Sequence, residues 1–114
     1  MRVSKEFTFD AAHNLVNYDG KCEALHGHTY RLRVTLEGPL QEDGMVFDFS
    51  EIKRIVDERV ISVLDHAYLN DTISQPTAEN IAIWIWKRLE DLPLFEIRVW
   101  ETAGSFVTVR GEGK

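Results

Sequence analysis

Residues 22–37 read Cys-Glu-Ala-Leu-His-Gly-His-Thr-Tyr-Arg-Leu-Arg-Val-Thr-Leu-Glu. From His26 onward the segment alternates. Tyr30, Leu32, Val34 and Leu36 have one parity, and Thr29, Arg31, Arg33, Thr35 and Glu37 have the other. That is the pattern of a β-strand with one buried face. Side chains two apart on a strand point the same way, so His26 and His28 share the face of Tyr30 and Leu32. A buried imidazole needs a polar partner, and two of them side by side on an apolar face suit a metal ion. Two ligands do not complete such a site, so a third is sought elsewhere in the chain.

The segment before it supplies one. Residues 2–12 alternate with Val3, Phe7, Phe9 and Ala11 inward, Lys5 being the exception, and His13 continues the inward parity just past the end. Asn17-Tyr18-Asp19-Gly20 marks a turn-rich loop. The two strands pair antiparallel across it and bring His13 to the same end of the hairpin as His26 and His28. Three neutral imidazoles favour zinc, and three protein ligands leave one coordination position open, the catalytic arrangement.

Further along, Gly38-Pro39 ends the strand and Asp48-Phe49-Ser50-Glu51 reads as a capping box. Ile52, Ile55, Val56, Val60, Val63 and Leu64 follow at helical spacing, predicting an amphipathic helix over 49–64. Thr77 caps a second helix with Ile81, Trp84, Ile85 and Leu89 inward, and Pro93 punctuates its end. Phe95, Ile97 and Val99 then alternate with Glu96, Arg98 and Trp100; Ala103-Gly104 is a tight turn, and residues 105–110 complete a hairpin. The order β-β-α-α-β-β predicts an α+β domain spanning residues 1–114, a four-stranded antiparallel sheet with two helices on one face. Such a sheet has two open edges, which favours oligomerisation through them.

Composition narrows the function classes. The formal net charge of −6 argues against a nucleic-acid partner, for which a basic footprint is expected. No apolar run approaches the roughly 20 residues of a membrane span. No signal-peptide pattern opens the chain, and its one cysteine fits a reducing cytoplasm.

Three further features carry chemistry. Cys22 sits four residues before the histidine pair, where a nearby cation would favour thiolate and allow it to serve as base or nucleophile. Asp65-His66 follows the first helix and fits an acid/base histidine oriented by a carboxylate. Glu101 holds the inward parity of an otherwise apolar strand. A carboxylate there needs donors: Arg31, Arg33 or Arg98, or the two parallel N–H groups of a guanidine-like ligand edge.

Together these residues resemble the 6-pyruvoyltetrahydropterin synthase and 6-carboxytetrahydropterin synthase family. The resemblance runs through Phe7-Thr8-Phe9-Asp10-Ala11-Ala12-His13, Cys22 to Tyr30, Asp48-Phe49, Leu64 to Asn70, Pro76 to Asn80 and Glu101-Thr102, almost the whole chain. It implies the tunnelling fold, in which three subunits close a twelve-stranded barrel and two trimers stack into a hexamer. It implies that His13, His26 and His28 bind Zn2+. Cys22 is then the catalytic cysteine, Asp65 and His66 the rest of the acid/base set, and Glu101 the anchor of the pterin. Thr77 lies in the segment that helps bind the pterin, although Ala78 stands where the family often has serine.

The resemblance further implies a lyase acting on 7,8-dihydroneopterin triphosphate. Cys-x-x-x-His-Gly-His resembles the bacterial 6-carboxy enzymes of the queuosine pathway, and Glu-x-x-His-Gly-His resembles a branch that cleaves the side chain to 6-hydroxymethyl-dihydropterin. Cys22 satisfies the first motif and Glu23 the second. The expected activity is 6-carboxytetrahydropterin synthase, with the 6-pyruvoyl reaction, the folate-type cleavage by Glu23, or both cleavage and carboxy formation as alternatives. A pterin- or metal-binding module without catalysis is the non-enzymatic alternative. Charge alone offers Lys21, Arg31 and Lys53 as triphosphate contacts.

Overall fold

The computed structural model describes residues 1–16 and 24–111. Strands β1 (Arg2–His13) and β2 (His26–Glu37) pair antiparallel over their full length, from Arg2 opposite Glu37 to His13 opposite His26. The alternation restricts the pairing to registers that keep one parity inward. It puts Phe9, Ala11, Tyr30, Leu32, Val34 and Leu36 on one buried face. A slip by one residue would turn that face to solvent.

Helix α1 (Phe49–Val56) runs on through a π-helical segment, Asp57–Ile61, into a last short turn, α2 (Ser62–Leu64). Asp48 caps its start by accepting from the Ser50 N–H at 2.8 Å. The expected reciprocal capping box does not form, because Arg54 engages the Glu51 carboxylate. Helix α3 (Ala78–Leu89) is capped by Thr77, whose hydroxyl accepts from the Asn80 N–H at 3.1 Å. Ile81, Ala82, Ile85, Trp86 and Leu89 are its buried residues; Trp84, expected inward, is only partly buried at the margin of the core.

The sheet differs from the expectation in one strand. β3 (Ala67–Tyr68) pairs parallel with β1, while β4 (Leu94–Thr102) and β5 (Ser105–Val109) form the second hairpin. The order is β3-β1-β2-β4-β5, five strands rather than four, and the sheet is mixed. Helices α1, α2 and α3 share one core with the inner face of the sheet, where Ile52, Val56, Val60, Leu64, Ile81 and Ile85 meet Leu32, Val34, Ile97 and Val99. Burying each such side chain contributes about 1.5–3 kcal/mol. On the other face Trp100 is covered by Arg31, whose guanidinium lies 3.8 Å from the ring centroid, an arrangement that buries an aromatic without a second layer. Among the described residues, no helix is long and apolar enough to cross a membrane.

Candidate active site

The hairpin register brings the three histidines together. His13 ends β1 directly opposite His26, and His28 lies opposite Ala11. The ring centroids are 4.6 Å apart for His13 and His26, 5.2 Å for His13 and His28, and 4.8 Å for His26 and His28. One ligand nitrogen from each lies within 4.8 Å of the others. His13 Nδ1 donates to the Pro76 carbonyl at 2.7 Å and His26 Nδ1 to the Ala24 carbonyl at 2.8 Å. A carbonyl only accepts, so each Nδ1 carries its hydrogen and each Nε2 is left as the ligating lone pair. The two Nε2 atoms face each other at 3.0 Å. Two facing lone pairs repel, and either a proton or a metal ion between them relieves the repulsion. Tetrahedral zinc with Zn–N bonds of about 2.0–2.1 Å needs nitrogens roughly 3.3 Å apart, so the donor set fits that ion.

Tyr30 lies beneath the cluster. Its hydroxyl is 3.3 Å from His13 Nδ1, and its ring stacks on Phe9 with centroids 5.1 Å apart. Burial, reinforced by the negative charge of Glu101, pushes the phenol well above its ordinary range.

Glu101 reaches the same end of the sheet, with Oε1 3.8 Å from His28 Nε2. The arginines that could have taken it are engaged elsewhere: Arg31 and Arg33 pair with Glu6, and Arg98 with Glu96. Glu101 and Thr77 share a cavity of about 280 Å³ with Leu15, Ala78, Ser105 and Phe106. That cavity, which Glu79 also lines, offers two carboxylates, small side chains and one aromatic ring to a flat ligand.

Asp65 and His66 are joined as expected, with Asp65 Oδ2 3.0 Å from His66 Nδ1. Strand β1 holds both: the Asp10 N–H donates to Asp65 Oδ1 at 3.0 Å, and the His66 N–H donates to the Asp10 carbonyl at 2.6 Å. His66 adopts φ 59°, a left-handed conformation uncommon outside glycine and held here by those bonds. The Asp10 N–H, followed by His66, keeps the Asp65 carboxyl below the usual carboxylate range. His66 and His28 both line an open cavity of about 580 Å³, together with Asp10, Thr29 and Tyr68. An exposed imidazole, oriented by a carboxylate and facing a cavity that His28 also lines, can move protons on a ligand bound there.

Cys22, Glu23 and Lys21 lie outside the described residues. Arg31 lies on the opposite sheet face against Trp100, and Lys53 of α1 pairs with Asp57 at the start of the π-helical segment. Sequence reasoning gives Asp10, Asn70, Gln75 and Pro76 no role in the site, although Asp10, Asn70 and Pro76 fall within the stretches that carry the resemblance and Gln75 lies just outside them.

Comparison with known proteins gives the class of enzyme, the tetrahydropterin synthases, which are of the lyase kind. The chain belongs to the 6-pyruvoyl tetrahydropterin synthase family, whose profile matches residues 2–112. It is 45% identical over 113 residues to a 6-carboxy-5,6,7,8-tetrahydropterin synthase of Synechocystis, covering 90% of this chain and 88% of the relative. It is 40% identical over 105 residues to a dihydroneopterin monophosphate aldolase of Pyrococcus furiosus, covering 88% and 89%. Its fold matches the solved structure of Caenorhabditis elegans 6-pyruvoyl tetrahydropterin synthase with a TM-score of 0.85 at 24% identity, over 98% of this chain and 96% of that one.

Proposed function

We propose that the chain is a zinc-dependent 6-carboxytetrahydropterin synthase, a single domain over residues 1–114 that works in the cytoplasm and feeds queuosine synthesis. Its substrate is 7,8-dihydroneopterin triphosphate, converted with water to 6-carboxytetrahydropterin, acetaldehyde and triphosphate. The observation that carries the reading is the convergence of His13, His26 and His28, with two Nδ1 atoms tied to carbonyls and Glu101 Oε1 3.8 Å from His28. Zinc held there supplies a Lewis acid for the side-chain hydroxyls of the substrate. Glu101 accepts two N–H bonds from the amino-pyrimidine edge, Thr77 flanks the ring, and the substrate side chain is thereby aimed at the histidines. Cys22 moves the proton at the side-chain carbon. His66, oriented by Asp65, shuttles the second proton. The sheet ends on a two-residue strand on one side and a five-residue strand on the other. The unpaired side of β5 is the edge open to another subunit, and the assembly we propose is a homohexamer of two trimers, each closing a twelve-stranded barrel.

A second reading is favoured by one observation: Glu23 adjoins Cys22, and the Pyrococcus relative carries the name of an aldolase. The same site then also cleaves the side chain to 6-hydroxymethyl-dihydropterin, with Glu23 as its base. The test is the zinc-loaded protein with dihydroneopterin triphosphate, its products separated by mass. Cys22→Ala loses the carboxy product and keeps 6-hydroxymethyl product; Glu23→Ala does the reverse. Full carboxy formation by Cys22→Ala overturns the cysteine's role. Absence of 6-hydroxymethyl product from the unmodified protein removes the second reading.

A further inference from the structure

A side-chain amide carries the same donor and acceptor as a peptide unit, so it can pair with the backbone as a neighbouring strand would. Two amides do so just beyond His13, where the chain leaves the sheet. Asn70 Oδ1 accepts the Asn14 N–H at 3.0 Å and its Nδ2 donates to the Asn14 carbonyl at 2.8 Å. Gln75 Oε1 accepts the Val16 N–H at 2.7 Å and its Nε2 donates to the Val16 carbonyl at 2.9 Å. Tyr68 adds a bond from its hydroxyl to Asn14 Oδ1 at 2.5 Å.

The backbone of Gln75 is fixed in turn. Its carbonyl accepts from the Thr77 N–H at 2.9 Å and from Asn80 Nδ2 at 2.8 Å. The next carbonyl, that of Pro76, is the acceptor for His13 Nδ1 at 2.7 Å. A closed circuit results: from the His13 ring to the Pro76 carbonyl, through Gln75 and its amide to Val16, and back along Leu15 and Asn14 to His13. The rotation of the His13 ring, and hence the aim of its Nε2, is set by where this circuit holds the Pro76 carbonyl.

We propose that Gln75 and Asn70 are positioning residues for His13, fastening the 70–76 segment so that the Pro76 carbonyl orients that ring toward the ion. The proposal rests on the three histidines holding a metal ion. Neither amide touches the ion or the ring, and both act through the backbone. Partners that orient a metal-bound histidine are worth about 10–100-fold in metal affinity.

The experiment uses the full chain, stripped of metal and titrated with zinc against a chromophoric chelator, with cobalt(II) absorption as a second readout of ligand geometry. Gln75→Met keeps side-chain length without the amide, and Asn70→Ala cuts the neighbouring clip independently. Each raises the zinc Kd about tenfold and alters the cobalt(II) band. Melting of the metal-free proteins separates this from a role in loop stability alone. Variants that melt lower but bind zinc with the Kd of the unmodified protein overturn the proposal. An unmodified protein that binds no zinc overturns the metal reading itself.

Discussion

His26→Ala removes one ring from the cluster at little cost to the fold, because His26 is only partly buried whereas His13 is buried. Ligand binding to the folded state adds RT ln(1 + [L]/Kd), about 2.7 kcal/mol at a free zinc concentration one hundred times Kd. With unfolding entropy near 2.1 cal/mol/K per residue, a chain of 114 residues gains about 4 °C for each kcal/mol. The unmodified protein is therefore expected to melt about 11 °C higher with zinc than after chelation. Loss of an orienting partner alone costs about 10–100-fold in affinity, so loss of a ligand costs at least a hundredfold. The variant then sits near its own Kd at the same zinc concentration and gains about 0.4 kcal/mol, less than 2 °C. The assay is calorimetric or fluorimetric melting of both proteins, each with zinc and with chelator, at one protein concentration. A variant that gains the full increment, with equal melting of the two chelated proteins, refutes the place of His26 in the site.

Two other outcomes are expected. The Asp65 carboxyl is held below its ordinary value, first by the Asp10 N–H and then by His66, so the stabilisation it contributes is present above an ordinary carboxylate value of about 3.9 and disappears as pH falls through the folded-state value. The Tm difference between the unmodified protein and Asp65→Asn should be full above about pH 5 and close in more acid solution; a difference unchanged to pH 2 speaks against it. Thr77→Ala removes the cap on the Asn80 N–H and should cost about 1 kcal/mol, about 4 °C, while Thr77→Ser keeps most of it, as melting without ligand will tell.

How far the sequence discloses this molecule depends on how local each cause is. β1 and β2 are legible because each strand states its own parity, and parity puts His13, His26 and His28 on one face of the hairpin, where the observed register makes His13 and His26 neighbours. β3 is not legible, since two residues carry no period; Ala67 and Tyr68 pair with β1 only because Asp65 and His66 are already bonded to Asp10. The choice among partners for Glu101 was equally beyond reach. It turned on Glu6, which stands opposite Arg33 in the register and draws both Arg33 and Arg31. The first helix shows a signal that periodicity reading blurs. Its buried residues Ile52, Val56, Val60 and Leu64 recur every four positions. At 3.6 residues per turn, each such step rotates the stripe by roughly 40° away from the sheet. A π-helical stretch has wider turns and turns it back, and the stretch observed, Asp57–Ile61, lies in the middle of that run. The site divides the same way. The three histidines lie on strands whose alternation announces them, whereas Pro76, Asn70 and Gln75 bond to residues 13–16 across some sixty positions of chain through contacts that no periodic pattern encodes.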